Sequence, residues 1–298
     1  MKPFVSIRLL DRFHNDPSLT DKLLVLLNRH IKKDADVWLT TSLGFPALEE
    51  HKKQALRMKT AAEKIRRNGY TVTLQVANTI GHGDLGKNFS FAMFQKNMQD
   101  IDGNEIPYVS CPGNEAFLDY TEKVLSLYAE AVRPDIVYPD DDLRMVGDKQ
   151  GCFCPDCLAR FNGMFGVSYT RETLKKALYE DEDFALSLKW RDFCDASLAR
   201  VTEAIVRGAL KGVSCVKIGL QMCTHMHYER YERVCRTITE LTGEKPLLRA
   251  GGGVYHDRTP FDFVQKGLDE QFQSAYVSRF IETVRPELAG YPHTAFNK

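Results

Sequence analysis

DIVYPDDDLRM, residues 135 to 145, followed after five residues by GCFCPDC at 151 to 157, is the stretch that decides the fold. Ile136 and Val137 open a short β-branched run, the residue type that suits a strand buried in a sheet. The run ends in three carboxylates, Asp140, Asp141 and Asp142, and the thiols Cys152, Cys154 and Cys157 come ten or more residues later. A short strand that ends in acidic residues and leads at once into a thiol cluster sets a candidate active site beside a candidate metal site. Parallel α/β folds place their chemistry at such carboxyl-terminal strand ends.

On either side of this strand, strand-like and helix-like segments alternate. FVSIRLL (4 to 10) is followed by a polar loop and a helix through LTDKLLVLLNRHIKK, with Ser18 or Thr20 placed to cap it. VWLTTSLG (37 to 44) precedes a helix that Pro46 opens and Gly69 stops, and TVTLQVAN (71 to 78) precedes a long polar loop holding GHGDLG and NFSFAMF. That loop exceeds an ordinary connection, which marks it as functional. A helix with Phe117, Tyr120, Val124, Leu127, Tyr128 and Ala131 at three-to-four spacing leads into DIVYPD, the fourth strand. After the thiols come helical stretches LARFNGMFG, RETLKKAL and a long one from about Phe184 to Leu210. VKIGLQMC (216 to 223), PLLRAGG (246 to 252) and the start of ELAGYPH (287 to 293) read as the fifth, sixth and seventh strands.

Such alternation means a parallel sheet with helical crossovers. A doubly wound open sheet would carry a Gly-rich turn after its first strand, and IRLLDRFHNDPS has no glycine. Polar residues recur instead at many strand ends: Asp11 and Arg12, Thr40 and Thr41, Asn78 and His82, Asp140 to Asp142, Gln221 and His225, Arg249 and Tyr255. A site built from the ends of several strands is the mark of a (β/α)8 TIM barrel. The expectation is one α/β barrel domain over 1–298, truncated after the seventh strand, with a Cys-rich zinc-binding excursion at about 145–182. An open barrel exposes unpaired edges, so either the chain is a piece of a longer protein or a second copy covers them as a homo-oligomer; the first is the reading adopted.

Thiolates on one tight turn, with a fourth from elsewhere in Cys111, suit a tetrahedral structural zinc site. Three thiols within six residues do not all face one apolar core, which the singly placed Cys194, Cys215, Cys223 and Cys235 can do. Disulfides need an oxidising compartment, whereas the start MKPFVSIRLLDRF has no long apolar stretch and reads as cytoplasmic. Forty basic residues against forty acidic ones give no electrostatic footprint for nucleic acid, and no apolar run approaches a membrane span.

YPDDDLRM with GCFCPDCLARFN, and Cys111 upstream in YVSCPGNEAF, resembles glycoside hydrolase family 42, the β-galactosidases, and relatives of that family. The resemblance runs from about Phe4 to the end of the chain and is strongest between Cys111 and Phe161. It implies a barrel glycosidase with a carbohydrate substrate and a structural zinc on Cys111, Cys152, Cys154 and Cys157. It puts the family's general acid on Asp142 and a contact to the sugar 2-hydroxyl on Asp141. Ala289 falls at the register of the nucleophile, a departure from the family, and Glu287, two residues earlier on the same strand face, is the candidate second carboxylate. Three adjacent aspartates, like charges at close range, raise at least one pKa, as a general acid requires. Arg8, Asp11, Asn78, His82, Asp140, Arg249, Tyr255 and Tyr291 are the candidate substrate contacts. The alternative is a degenerate barrel that binds carbohydrate without hydrolysing it.

Overall fold

A seven-stranded parallel sheet carries the site, in the order β1 (Val5–Leu9), β2 (Ala35–Thr40), β3 (Thr71–Val76), β6 (Ile136–Pro139), β7 (Lys217–Met222), β8 (Leu247–Ala250) and β9 (His293–Thr294). The computed structural model describes residues 5–9, 14–30, 35–82, 96–147, 149–222, 232–250 and 293–294. Seven helices accompany the sheet among these residues: α1 (Pro17–His30), α2 (Leu48–Arg67), α3 (Glu115–Val132), α4 (Pro155–Phe165), α5 (Arg171–Tyr179), α6 (Ala185–Gly212) and α7 (Glu232–Thr242). The strand containing Ile136 is the fourth of the sheet, and the first six strands expected from sequence occupy their expected places; the last strand is His293–Thr294, at the very end of the expected segment 287–293, whose residues 287–292 lie outside the described residues. Among the described residues the sheet is not closed: β1 pairs with β2 and β9 with β8, so the structure shows a barrel-like parallel sheet rather than a complete barrel.

Both faces of the sheet are covered, as parallel sheets require. Val37, Leu39, Val72, Leu74, Val137, Ile218 and Leu220 join the helices in the main core. Their strand neighbours face the other way by the period-two rule. There Trp38 and Tyr138 stack at 4.5 Å between ring centroids, with Ile136 and Leu247 packed against them, in a second cluster separate from the first. This pair forms an aromatic floor under the carboxyl-terminal strand ends. Gly219 lies beside it because a β-carbon there would overlap the Tyr138 ring. On the helical side, Gly208 and Gly212 of α6 let that helix press against α3, where a β-carbon would meet the backbone of Glu122 and Glu130.

The long segment after β3 ends in two strands that the sequence reading did not identify. Asn97–Gln99 (β4) and Glu105–Ser110 (β5) pair as an antiparallel hairpin, its turn held by the Asp100 carboxylate accepting from the backbone of Asp102 and Asn104. The hairpin anchors the thiol region: Phe153 N donates to Gln99 O at 2.9 Å and Cys111 N to Lys96 O at 2.7 Å. Helix α3 starts where Asn114 accepts from Ala116 N and ends at Arg133 with a left-handed φ of 49°. Cys215 is exposed, against the expectation of a buried thiol, since it lies in the short turn before β7; Cys194 and Cys235 are buried.

Candidate active site and metal centre

Four adjacent strands deliver polar side chains above the Trp38–Tyr138 floor. Register places Thr40 opposite Gln75 and Gln75 opposite Tyr138, so successive strand ends contribute to one layer. Thr40 Oγ1 donates to Gln75 Oε1 at 3.3 Å, and Gln75 Nε2 donates to Asp140 Oδ1 at 3.0 Å. Gln221 Nε2, from β7, reaches the same Oδ1 at 3.1 Å, and the backbone N of Asp141 donates to it at 3.0 Å. Asp140 is therefore buried but fully solvated by protein donors, the condition under which a buried charge is tolerated. Burial works against its charge, yet the hydrogen bond from His82 and the nearby Arg8 hold its carboxyl below the usual range.

Asp142 faces a different partner set. Its Oδ1 and Oδ2 accept from Thr79 N at 3.0 and 2.8 Å, Oδ2 accepts from Gly81 N at 2.7 Å, and Thr79 Oγ1 donates to Oδ1. The residue is sealed, and it ties the strand end carrying the acidic run to the loop after β3. Burial first, and the adjacent Asp140 charge, push its pKa up to about 6. His82 completes the group. Its Nε2 lies 2.9 Å from Ala77 O, 3.4 Å from Asp140 Oδ2 and 3.8 Å from Asp142 Oδ2. Burial pulls the imidazole pKa down, but the bond to Asp140 and the charges of Asp142 and Asp140 outweigh it and push it up to about 9.

The structure brings Asp140, Asp142 and His82 together with Arg8, whose charge acts on Asp140 and which sits in register beside Trp38. Asp141 is half-buried at the same strand end. Asn78 is buried next to Thr79, and its Nδ2 has no partner among the described residues. Arg249 stands opposite Gln221 in the β7–β8 register. Asp11, Tyr255, Glu287, Ala289 and Tyr291 lie outside the described residues. Gln75 and Thr79 were missed by sequence reasoning. Gln75 left one signal, a lone amide within the strand-like TVTLQV run. A cavity of about 550 Å³ lies elsewhere, between Met145–Gln150 and α6, and none of the candidate site residues lines it.

Cys111, Cys152, Cys154 and Cys157 form the second centre. All four are buried and their sulfurs lie within 4.8 Å of one another. Cys111 Sγ is 3.5 Å from Cys152 and Cys157 and 3.8 Å from Cys154, too far for disulfides. A tetrahedron with bonds of about 2.3 Å has edges of roughly 3.8 Å, so the spacing suits a tetrathiolate metal site. Two further observations fit a metal of that kind. Arg160 Nη1 is buried with no hydrogen-bond partner among the described residues. A β-carbon on Gly113 would lie 2.9 Å from Cys157 Sγ, 3.0 Å from Arg160 Nη1 and 3.5 Å from Cys111 Sγ, so guanidinium and sulfurs converge on one point. A zinc bound by four thiolates carries net negative charge, which the neighbouring guanidinium of Arg160 offsets.

No protein-family model matches the chain, and no curated protein matches it. Solved structures do. A GH42 β-galactosidase from G. stearothermophilus superposes with a TM-score of 0.61 at 11% identity, covering 95% of this chain and 44% of that one. The cold-adapted β-galactosidase from Rahnella sp. R3 gives 0.60 at 10% identity, over 96% and 43%. The β-galactosidase from Bacillus circulans sp. alkalophilus gives 0.57 at 12%, over 89% and 42%. The chain thus spans less than half the length of these proteins, and at such identities the likeness is one of fold alone.

Proposed function

We propose that this chain acts on a carbohydrate at the carboxyl-terminal face of its sheet, as a glycoside hydrolase whose substrate is a β-galactoside or a related glycoside. The observation that carries the reading is the layer of Thr40, Gln75, Asp140, His82 and Gln221 above the Trp38–Tyr138 floor. It combines an ionised carboxylate, amides and an imidazole over buried aromatic rings, the groups that hold sugar hydroxyls in place. The barrel-type fold shared with β-galactosidases supports the same class. In this proposal the acidic run supplies one side of the paired-carboxylate chemistry through Asp142 and its neighbours, and Glu287 supplies the other. The thiolates hold a structural zinc that braces the excursion and takes no part in the reaction, since four protein ligands leave no open position for water.

A panel of chromogenic glycosides tests this. The wild type cleaves at least one β-glycoside, and Asp142→Asn and Glu287→Gln each lower turnover by about 100-fold or more. Turnover unchanged in both variants ends the paired-carboxylate reading. The sealed oxygens of Asp142 favour a second reading, a barrel that binds carbohydrate without hydrolysing it. Saturable galactoside binding by calorimetry with no cleavage across the panel is its expected signature.

A further inference from the structure

Strain and space coincide at one place away from the carboxylates. The cavity of about 550 Å³ between the turn at 145–150 and helix α6 has the size of a small-ligand site. Among the described residues five that are not glycine take a left-handed φ, and three of them, Lys149 (55°), Gln150 (41°) and Phe184 (59°), line this cavity. Side chains disfavour that conformation, which persists only where surrounding contacts enforce it and which gathers at functional sites. Here the contacts are explicit. Lys149 O accepts from Trp190 Nε1 at 3.2 Å and Gln150 O from Cys194 Sγ at 3.3 Å, so α6 fixes the turn. The Asp181 carboxylate accepts from the backbone N of Leu186 and Ser187, and Asp183 from that of Ala185, which fixes the start of α6 just after Phe184. The wall behind is firm as well. Trp190 stacks on Phe153 at 4.3 Å between ring centroids, and a β-carbon on Gly151 would overlap the indole.

The lining narrows the chemistry of an occupant. Phe184 is 66% exposed and Leu188 52%, two large apolar side chains left against water at the cavity. Trp190 is buried against Phe153, whereas the Phe184 ring stands open. Along α6, Ser187, Arg191 and Asp195 recur every four residues, so they form one polar row on the cavity side, about 12 Å from first to last. Gln150 and Lys149, whose Nζ lies 4.6 Å from the centre of the Tyr179 ring, add polar groups from the turn. A wholly apolar occupant would strip water from these groups and return no hydrogen bonds. An anion would meet Asp195, and a cation would meet Lys149 and Arg191. A neutral molecule with hydroxyls along its edge and C–H groups on its face avoids both conflicts.

We propose that this cavity is a second carbohydrate site, in which a short neutral oligosaccharide lies along α6 with hydroxyls on Ser187, Arg191 and Asp195 and a ring face on Phe184. Neither Asp140, Asp142 nor His82 lines it, so the site holds sugar without acting on it and stands apart from the hydrolase reading.

Titration of the full ¹⁵N-labelled chain with thio-linked β-trisaccharides of galactose, glucose and xylose, which resist cleavage, tests this. At least one is expected to shift the amides of residues 149–151 and 184–198 saturably. Phe184→Ala should weaken that binding by about 10-fold or more, and Ser187→Trp, which fills the cavity, should abolish it. Both variants are expected to keep the wild-type spectrum elsewhere and wild-type turnover of chromogenic monosaccharide glycosides. Shifts confined to the strand ends around Asp140, or no shifts with any of the three sugars, overturn the second site. Shifts that survive Ser187→Trp do the same, and undiminished affinity in Phe184→Ala overturns the placing of a ring on Phe184. Shifts of these amides on concentrating the protein without sugar make the groove an interface between copies and also overturn it. If the wild type cleaves no glycoside, the hydrolase reading falls while the shift map still decides the second site.

Discussion

Three consecutive aspartates look interchangeable as a string and are not so in the fold. Asp140 turns to the inner layer and accepts from Gln75 and Gln221, whereas Asp142 turns into the loop after β3 and accepts from Thr79 and Gly81. The strand period keeps residues two apart on one face only while the strand continues, and β6 ends at Pro139. Past that point, tight turns set direction, and no residue pattern encodes which donors each carboxylate will meet. Gly219 makes a sharper statement at the same scale. Its missing side chain is where the Tyr138 ring stacks on Trp38, so Gly219→Ala forces the aromatic floor out of place. A loss of about 1–3 kcal/mol is expected, read as a lowered denaturant midpoint with unchanged m-value.

At the scale of elements, helices α2 and α3 are joined by a buried polar knot. His51 Nδ1 lies 2.9 Å from Tyr128 Oη and Nε2 2.6 Å from Tyr120 Oη, and Tyr120 Oη donates to Pro46 O at 2.7 Å. The knot thereby fixes the loop that leads from β2 into α2. Burial pushes the His51 pKa down from 6.5 to about 4, so the folded ring is neutral. Between those two values the unfolded chain binds a proton that the folded chain does not, and stability therefore falls as pH drops through 6.5, with the loss complete near 4. Compared with wild type, His51→Gln should be spared roughly 3 kcal/mol of acid destabilisation between pH 7 and pH 4, measured by urea unfolding at each pH. Asp142, whose pKa shift is opposite in sign, is present in both proteins and cancels in the difference. Elements with strong periodicity, such as α3 and α6, were legible in sequence, because a helix must bury one face to be stable. The β4–β5 hairpin was not, since β4 is only three residues long and Pro107 interrupts the run of β5, and what stabilises it is its contact with the thiol segment at Phe153 and Cys111.

At the scale of the molecule, the thiol centre joins parts of the chain about forty residues apart, Cys111 after the hairpin and the Cys152–Cys157 turn in the excursion. Chelation should release about one equivalent of zinc per chain and raise amide exchange across residues 151–166 and the hairpin by on the order of 100-fold, while β2, β3 and β6 keep their protection. Arg160→Met should weaken zinc retention against a competing chelator without altering stoichiometry, by roughly 10- to 100-fold. The order of strands, the α/β class, the acidic strand end and the thiol set were determined by the sequence alone, because alternation, β-branched runs and ligand spacing are local properties written in adjacent residues. What only the tertiary structure decided is which polar groups share a layer. Gln75, Asp140 and Gln221 are separated by up to 146 positions in the chain yet meet at one carboxylate oxygen, as parallel pairing and register bring strand ends together. Sequence thus named the carboxylates, and the geometry of the sheet separated the one that meets Gln75 and Gln221 from the one sealed beneath a loop, with His82 between them.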